Sequence, residues 1–388
     1  MSAANYRTLP LQNYNEDEAQ FEKLLAVVRI KTPEQLVLLE AALTQAERRI
    51  GLIERSFPRN YRAQVERVAQ ALELGRYVEP RFIYSSLGSD LEQTVTDLQA
   101  MRVALGSLRL PSDWGLITTL LDERAVELGL EAMLVLERGS DKFPALVHQR
   151  FPIAETHKKA ALELSERWLT ANDDENEFQE QVDLAAYLSA RSRAEGRTFS
   201  IIERPIASVA AATKDGLVVQ SGARVTEREA ERIWVHEVLA HVLPRQAGLR
   251  TLVPLRVGTR ASGEDEEGRA LLLEERHGLL HSERKRNLAI RHQLADTARA
   301  YPQDLGQQAL ALVKRGCSAT RVAHALCRSL RGGGLAREAV YLPALIHVKH
   351  VLQSQPHLER WMKYGRSSIT ASAQLDAWFQ SNSIVHGA

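Results

Sequence analysis

The chain has 388 residues, of which 44% are hydrophobic, 26% charged and 6% aromatic, with a formal net charge of +1. That composition describes a globular, helix-rich protein of one large or two ordinary domains. Without a basic excess it has no electrostatic footprint for nucleic acid, no apolar run approaches the ~20 residues that span a bilayer, and Cys317 and Cys327 are too few for a disulfide scaffold.

Residues 1–14 read as a loose arm, and Met1 to Leu11 lack the apolar core of a signal peptide. A cytoplasmic protein is expected, with neither nucleic acid nor membrane as partner. From Glu16 to about Ala190 the apolar residues recur at helical spacing. One helix is expected from Pro33, with Thr32 as its N-cap. Others are expected near 59–75, 90–106, 113–137, 141–150, 155–170 and 177–194, the last after an acidic link from Asn172 to Asn176.

The texture changes at Arg197. Thr198 to Glu203 alternates, Ile206 to Ala212 is small and apolar, and Gly216 to Gln220 is bounded by turn residues. These predict one small antiparallel sheet. Thr226-Glu227-Arg228-Glu229 has the form of a capping box, with the Thr226 hydroxyl on a backbone amide and Glu229 reaching back. The helix it opens stops at Gly248. Residues 249–263 read as a loop or hairpin, and a second helix is expected from Gly263 to about Arg284. After 286 the pattern is helical again, except at Arg331-Gly332-Gly333-Gly334. The fold class is therefore α+β and mostly α-helical. Residues 1–195 are expected to form an N-terminal helical region and 196–388 a catalytic one.

The capped helix contains Ile233-Trp234-Val235-His236-Glu237-Val238-Leu239-Ala240-His241. Two imidazoles beside a carboxylate suit a zinc ion and a general base. The spacing is HExxxH, one residue longer than the common zinc helix. At about 100° per residue, His236 and His241 stand about 140° apart on an ideal α-helix. To share an ion, the segment must widen locally, as in a π-bulge, or His241 must lie where the helix ends. The competing reading is a core helix with two hydrogen-bonded histidines. An edge strand beside a zinc helix commonly holds an extended peptide by β-augmentation, which favours a metallopeptidase. A third ligand can come from Glu266, Glu267, Glu274 or Glu275, and spacing does not choose among them. Adjacent Glu266 and Glu267 point to different sides, so at most one is expected to face the metal.

With these motifs in place, the chain resembles the tyrosine carboxypeptidase family of zinc metallopeptidases. That family includes the microtubule-associated tyrosine carboxypeptidase and bacterial relatives with a QEGLA motif. The resemblance covers roughly residues 60–360. It rests on Val219 to Glu229, on His236 to His241, and on Glu266-Glu267-Gly268-Arg269-Ala270, which matches the family's QEGLA or EEGLA. Arg328 to Leu342 resembles an Arg- and Gly-rich family segment, and Leu136 to Phe143 resembles a family turn. The resemblance implies His236, His241 and Glu267 as zinc ligands and Glu237 as general base. Leu239 and Ala240 replace the family's Gly and Thr, Arg269 replaces a Leu, and Ala336 and Arg337 stand where Thr and Lys are usual.

The expected function is zinc-dependent hydrolysis of the C-terminal bond of a peptide or protein. Zinc lowers the pKa of its water from about 15.7 to about 7. Glu237 is expected to take the proton and return it to the leaving amine. Tyr341 is a candidate partner for the developing oxyanion. Arg328, Arg331 and Arg337 are candidates for the substrate carboxylate, with glycine amides as a small anion nest. His277 and His281 are expected to face solvent or core, with a supporting role at the metal as the alternative. Cys317 and Cys327 are expected in the core. The alternatives are an endopeptidase, or a non-catalytic zinc-binding scaffold or regulator.

Overall fold

A computed structural model describes Phe21, Leu25 and residues 32–381, apart from 89, 171–179, 207 and 214. The acidic link and the start of the expected 177–194 helix fall outside the described residues.

The apolar spacing of the first half produces helices at Glu34–Ile50, Tyr61–Glu73, Asp90–Ser107, Gly115–Leu136, Phe143–Arg150 and Glu155–Leu169. Leu36, Leu43, Ala46 and Ile50 of the first, spaced by seven, three and four residues along one helical face, are buried. Gly51 ends it in the left-handed region at φ 46°, with its N–H on the Glu47 carbonyl. These stripes enter one large core. That core also takes Leu252, Leu271, Leu342, Trp361 and Phe379, so it spans both sides of residue 196. A second core joins Val65, Val68 and Leu72 to Ile290, Leu294, Leu326 and Cys327. Both cysteines are buried and free.

The protein is mostly helical α+β, but its strands correct two expectations. Instead of one antiparallel sheet there are two sheets among the described residues. Strands β1 (Gln181–Asp183) and β5 (Arg224–Thr226) pair antiparallel, with Val182 opposite Val225. Strands β2 (Ser200–Arg204), β3 (Ala210–Ala212) and β4 (Gly216–Gln220) form a sheet in the order β2–β4–β3. In it β2 runs parallel to β4, and β3 antiparallel. β2 and β3 flank β4 on opposite sides and run in opposite directions, which leaves β2 parallel to β4. The expected 177–194 helix also begins later, at Leu184, where Asp183 caps it by accepting from the Ala186 amide.

This three-stranded sheet holds up the histidine segment. Leu217 and Val219 from β4 pack with Ile233, Trp234, Val235 and Val238. The helix expected from Gly263 to Arg284 is two helices, Ser262–Arg276 and Ser282–Ala300. Gly278, at φ 68°, makes the turn between them. The 249–263 loop carries a short helix, Val253–Val257. Further helices are Leu305–Lys314, Ala319–Gly334, Tyr341–Ser354 and Ile369–Ser381. Arg331, Gly332 and Gly333 leave helical geometry at the glycine run. No helix among the described residues is long and apolar enough to cross a membrane.

Candidate metal centre

The Thr226 hydroxyl accepts the Glu229 amide and opens the helix Glu227–Ile233. The other half of the expected box is replaced. The Glu229 carboxylate clamps Arg232 instead, at 2.8 and 2.7 Å. The chain then winds as a π-helix from Trp234 to Val242. In a π-helix the hydrogen bonds join residues five apart, so His241 returns over His236. The five-residue offset is thereby accommodated over the whole motif rather than at one bulge. The ring centroids lie 5.3 Å apart at an interplanar angle of 63°, and both histidines are buried.

The helix Ser262–Arg276 faces this segment. One donor atom from each of His236, His241 and Glu267 lies within 4.8 Å of the others, a group able to hold a metal ion. Glu267 Oε2 is 3.4 Å from His236 Nε2. The position of Glu267 depends on the next residue. A Cβ added at Gly268 would lie 2.6 Å from the carbonyl carbon and oxygen of Ala344. The glutamate helix and Tyr341–Ser354 therefore pack backbone against backbone.

Of the four candidate third donors, only Glu267 joins the group. Glu274 is fully buried, and its Oε1 lies 2.7 Å from His236 Nδ1. Arg232 reaches Glu274 at 3.1 Å and Arg284 reaches it twice at 2.9 Å. Glu266 lies 3.4 Å from His241 Nδ1 and also meets Arg245 at 3.3 Å. Glu275 is exposed and pairs with Lys349. His277 is exposed, and His281 caps the next helix through the Arg284 amide. Sequence reasoning did not foresee that Glu274 and Glu266 sit behind the histidines. One signal was present: Glu267 and Glu274 are seven apart, about 20° on a helix, so they share a face.

Electrostatics keep the carboxylates charged. Burial pushes Glu267 up, but the hydrogen bond from His236 and the nearby His241 and Arg337 hold it well below the usual range. Burial likewise raises Glu266, and the His241 ring with the Arg245 and Arg366 guanidiniums brings it to about 2. Burial lowers the His236 imidazole, yet Glu267 and Glu274 outweigh that and hold it at about 9. A site of this charge pattern favours a cation that replaces the proton.

Glu237 is half-buried, and its Oε2 accepts the Ala212 amide at 2.9 Å. Ala212 belongs to β3, an edge strand. The Ala212 carbonyl meets Arg245 at 3.4 Å. Oε1 of Glu237 has no hydrogen-bond partner among the described residues.

Tyr341 starts the helix packed on the glutamate helix. Its ring lies between Arg291 and Arg337, whose guanidinium carbons are 5.4 and 5.9 Å from its centroid. Burial, and then the Glu267 charge, raise its pKa. Arg337 Nη2 is 3.7 Å from Glu267 Oε1, so this arginine stands at the metal group. Arg328 and Arg331 turn to buried Glu338, at 2.7 and 3.8 Å, and Arg291 approaches it at 3.7 Å. The Gly332 amide donates to the Tyr84 hydroxyl. Gly139 donates to the Gly332 carbonyl, and a Cβ on Gly333 would come within 2.9 Å of the Gly139 nitrogen. The glycine run thus docks on the Arg138-Gly139 turn, so the Gly332 amide does not contribute to an anion nest.

Fold and site together define a mostly helical α+β protein in which two buried histidines and a half-buried glutamate form a group that could hold a metal ion. The model of the microtubule-associated tyrosine carboxypeptidase family matches residues 72–387, and the chain belongs to that family. No curated protein and no solved structure matches it.

Proposed function

We propose that the protein is a zinc-dependent carboxypeptidase that removes a residue from the C-terminus of a peptide or protein. The observation that carries this reading is the convergence within 4.8 Å of donor atoms of His236 and His241, from a π-helix that fits the HExxxH spacing, and of Glu267, from the facing helix Ser262–Arg276. Two imidazoles and one carboxylate are a common donor set for catalytic zinc. Zinc held there supplies Lewis acidity at the scissile carbonyl and acidifies water at neutral pH.

The chain's own residues supply the rest. Glu237 is fixed by the Ala212 amide through one oxygen, and its other oxygen is available to take a proton and pass it to the leaving amine. The β3 edge offers a backbone against which an extended peptide can lie. Tyr341 faces developing negative charge on the substrate oxygen. Arg337, with Arg328 and Arg331 behind it, receives the terminal carboxylate. An arginine this close to Glu267 favours exo- over endopeptidase action. The region from residue 196 onward supplies the metal ligands and the general base, and we place the protein in the cytoplasm.

The test is metal analysis, then incubation with a peptide library read by mass spectrometry, comparing wild type with Glu237→Gln. Stepwise loss of C-terminal residues is expected in the wild type. The variant should bind zinc and be slower by roughly 10²–10⁴-fold. Internal fragments would indicate an endopeptidase, and zinc uptake without cleavage in either protein a scaffold.

A further inference from the structure

We propose that Glu274 is a positioning residue for the metal site. It orients His236 through Nδ1, so that Nε2 faces the ion, and Arg232 and Arg284 hold it in that role. This inference rests on the metal-site reading given above. Glu274 is fully buried and lies 2.7 Å from His236 Nδ1. A ligating histidine commonly donates its second ring N–H to a carboxylate, which fixes the tautomer and the ring plane. Glu274 comes from the same helix as Glu267, two turns along, so one rigid element sets both a donor and the group behind another donor.

The arginines argue that this is more than a structural ion pair. Arg232 comes from the helix that leads into the π-segment, and Arg284 from the helix after the Gly278 turn. Three elements therefore converge on one carboxylate. Burying such a cluster is costly, and apolar packing of the same volume is often as stable or more so. Its placement against a histidine ring is explained by the orientation it imposes. The matching contact on His241 is looser. Glu266 is 3.4 Å away, and its Oε1 is buried without a hydrogen-bond partner. Glu274 is accordingly the dominant support.

The test measures zinc affinity of the full chain by chelator competition, and the ligand-field spectrum of the cobalt(II) form. Glu274→Gln is expected to weaken zinc binding by roughly 10- to 100-fold and to shift the cobalt bands. Glu275→Gln, at the neighbouring exposed pair with Lys349, is expected to stay within about twofold of wild type. Arg284→Gln keeps Glu274 but removes two of its three arginine hydrogen bonds. It is expected to shift the cobalt bands in the same direction with a smaller loss of affinity, and it carries the test if Glu274→Gln does not fold. Affinity and spectrum equal to wild type in the folded variant would overturn the inference while leaving the metal-site reading intact. A wild-type chain that takes up no zinc would overturn both.

Discussion

Replacing Gly268 by alanine puts the packing of the glutamate helix to a direct test. The new methyl carbon would meet Ala344 C and O at 2.6 Å and Leu345 N at 2.9 Å, all of them backbone atoms that no side-chain rotation can clear. Overpacking of this kind costs about 1–3 kcal/mol or more. Helix propensity works the other way, since alanine exceeds glycine by about 1 kcal/mol in a helix interior. With backbone on both sides the steric cost dominates, and a net loss of up to about 2 kcal/mol is expected. Gly129 provides the control. It lies in the helix Gly115–Leu136, and a Cβ there meets nothing within 4 Å. Gly129→Ala should therefore gain about 0.5–1 kcal/mol. Urea unfolding of the three proteins, followed by circular dichroism, gives the comparison. Opposite signs are expected, together with weaker zinc binding in Gly268→Ala because Glu267 is displaced. If both variants gain stability equally, the close approach of the two helices is wrong.

Two other outcomes follow from the geometry. His292 is almost fully buried, and burial pushes its imidazole down to about 4 against a weaker pull from the Ala339 backbone. Its folded value lies below the unfolded value of about 6.5, so its contribution is present above pH 6.5 and is lost as the pH falls through 4. That gap corresponds to about 3 kcal/mol at 1.36 kcal/mol per pH unit. Stability measured across this window should fall more steeply in wild type than in His292→Leu, and equal slopes would remove His292 as the cause. Arg337→Met should raise KM for peptides with a free C-terminus by roughly ten- to a hundredfold, the weight of a charge-assisted hydrogen bond. It should also erase discrimination against C-terminal amides, and an unchanged preference for the free acid would assign carboxylate binding elsewhere.

The legible parts of this protein were those where a single chemical constraint acts along the chain. For His236 and His241 to share an ion, the five-residue offset calls for a wider helix or a helix end, and Trp234–Val242 is a wider helix. The Thr226 cap is local and was read from a few residues, whereas the helix ends at Gly248 without the left-handed glycine cap, Leu249 following in right-handed geometry. What escaped depends on contacts between distant segments. A strand of three residues such as Gln181–Asp183 has no period of its own and exists because Arg224–Thr226 pairs with it. The parallel alignment of β2 and β4 is equally non-local. The supporting contacts of Glu274 and Glu266 require knowing how the glutamate helix is rotated toward the histidines, which spacing alone does not supply. Glu338, which gathers Arg328, Arg331 and Arg291, gave no signal in the sequence because its partners lie on two other elements, Ala319–Gly334 and Ser282–Ala300, and meet only in the fold.

The central claim is that two rings from one π-helix and one carboxylate from a facing helix hold a single cation. Crystals of the zinc-loaded protein, with diffraction recorded on both sides of the zinc absorption edge, test it most directly. One anomalous peak is expected, about 2.0–2.2 Å from a nitrogen of His236, a nitrogen of His241 and an oxygen of Glu267. A peak that touches only one of these side chains, or none between them, would contradict the account.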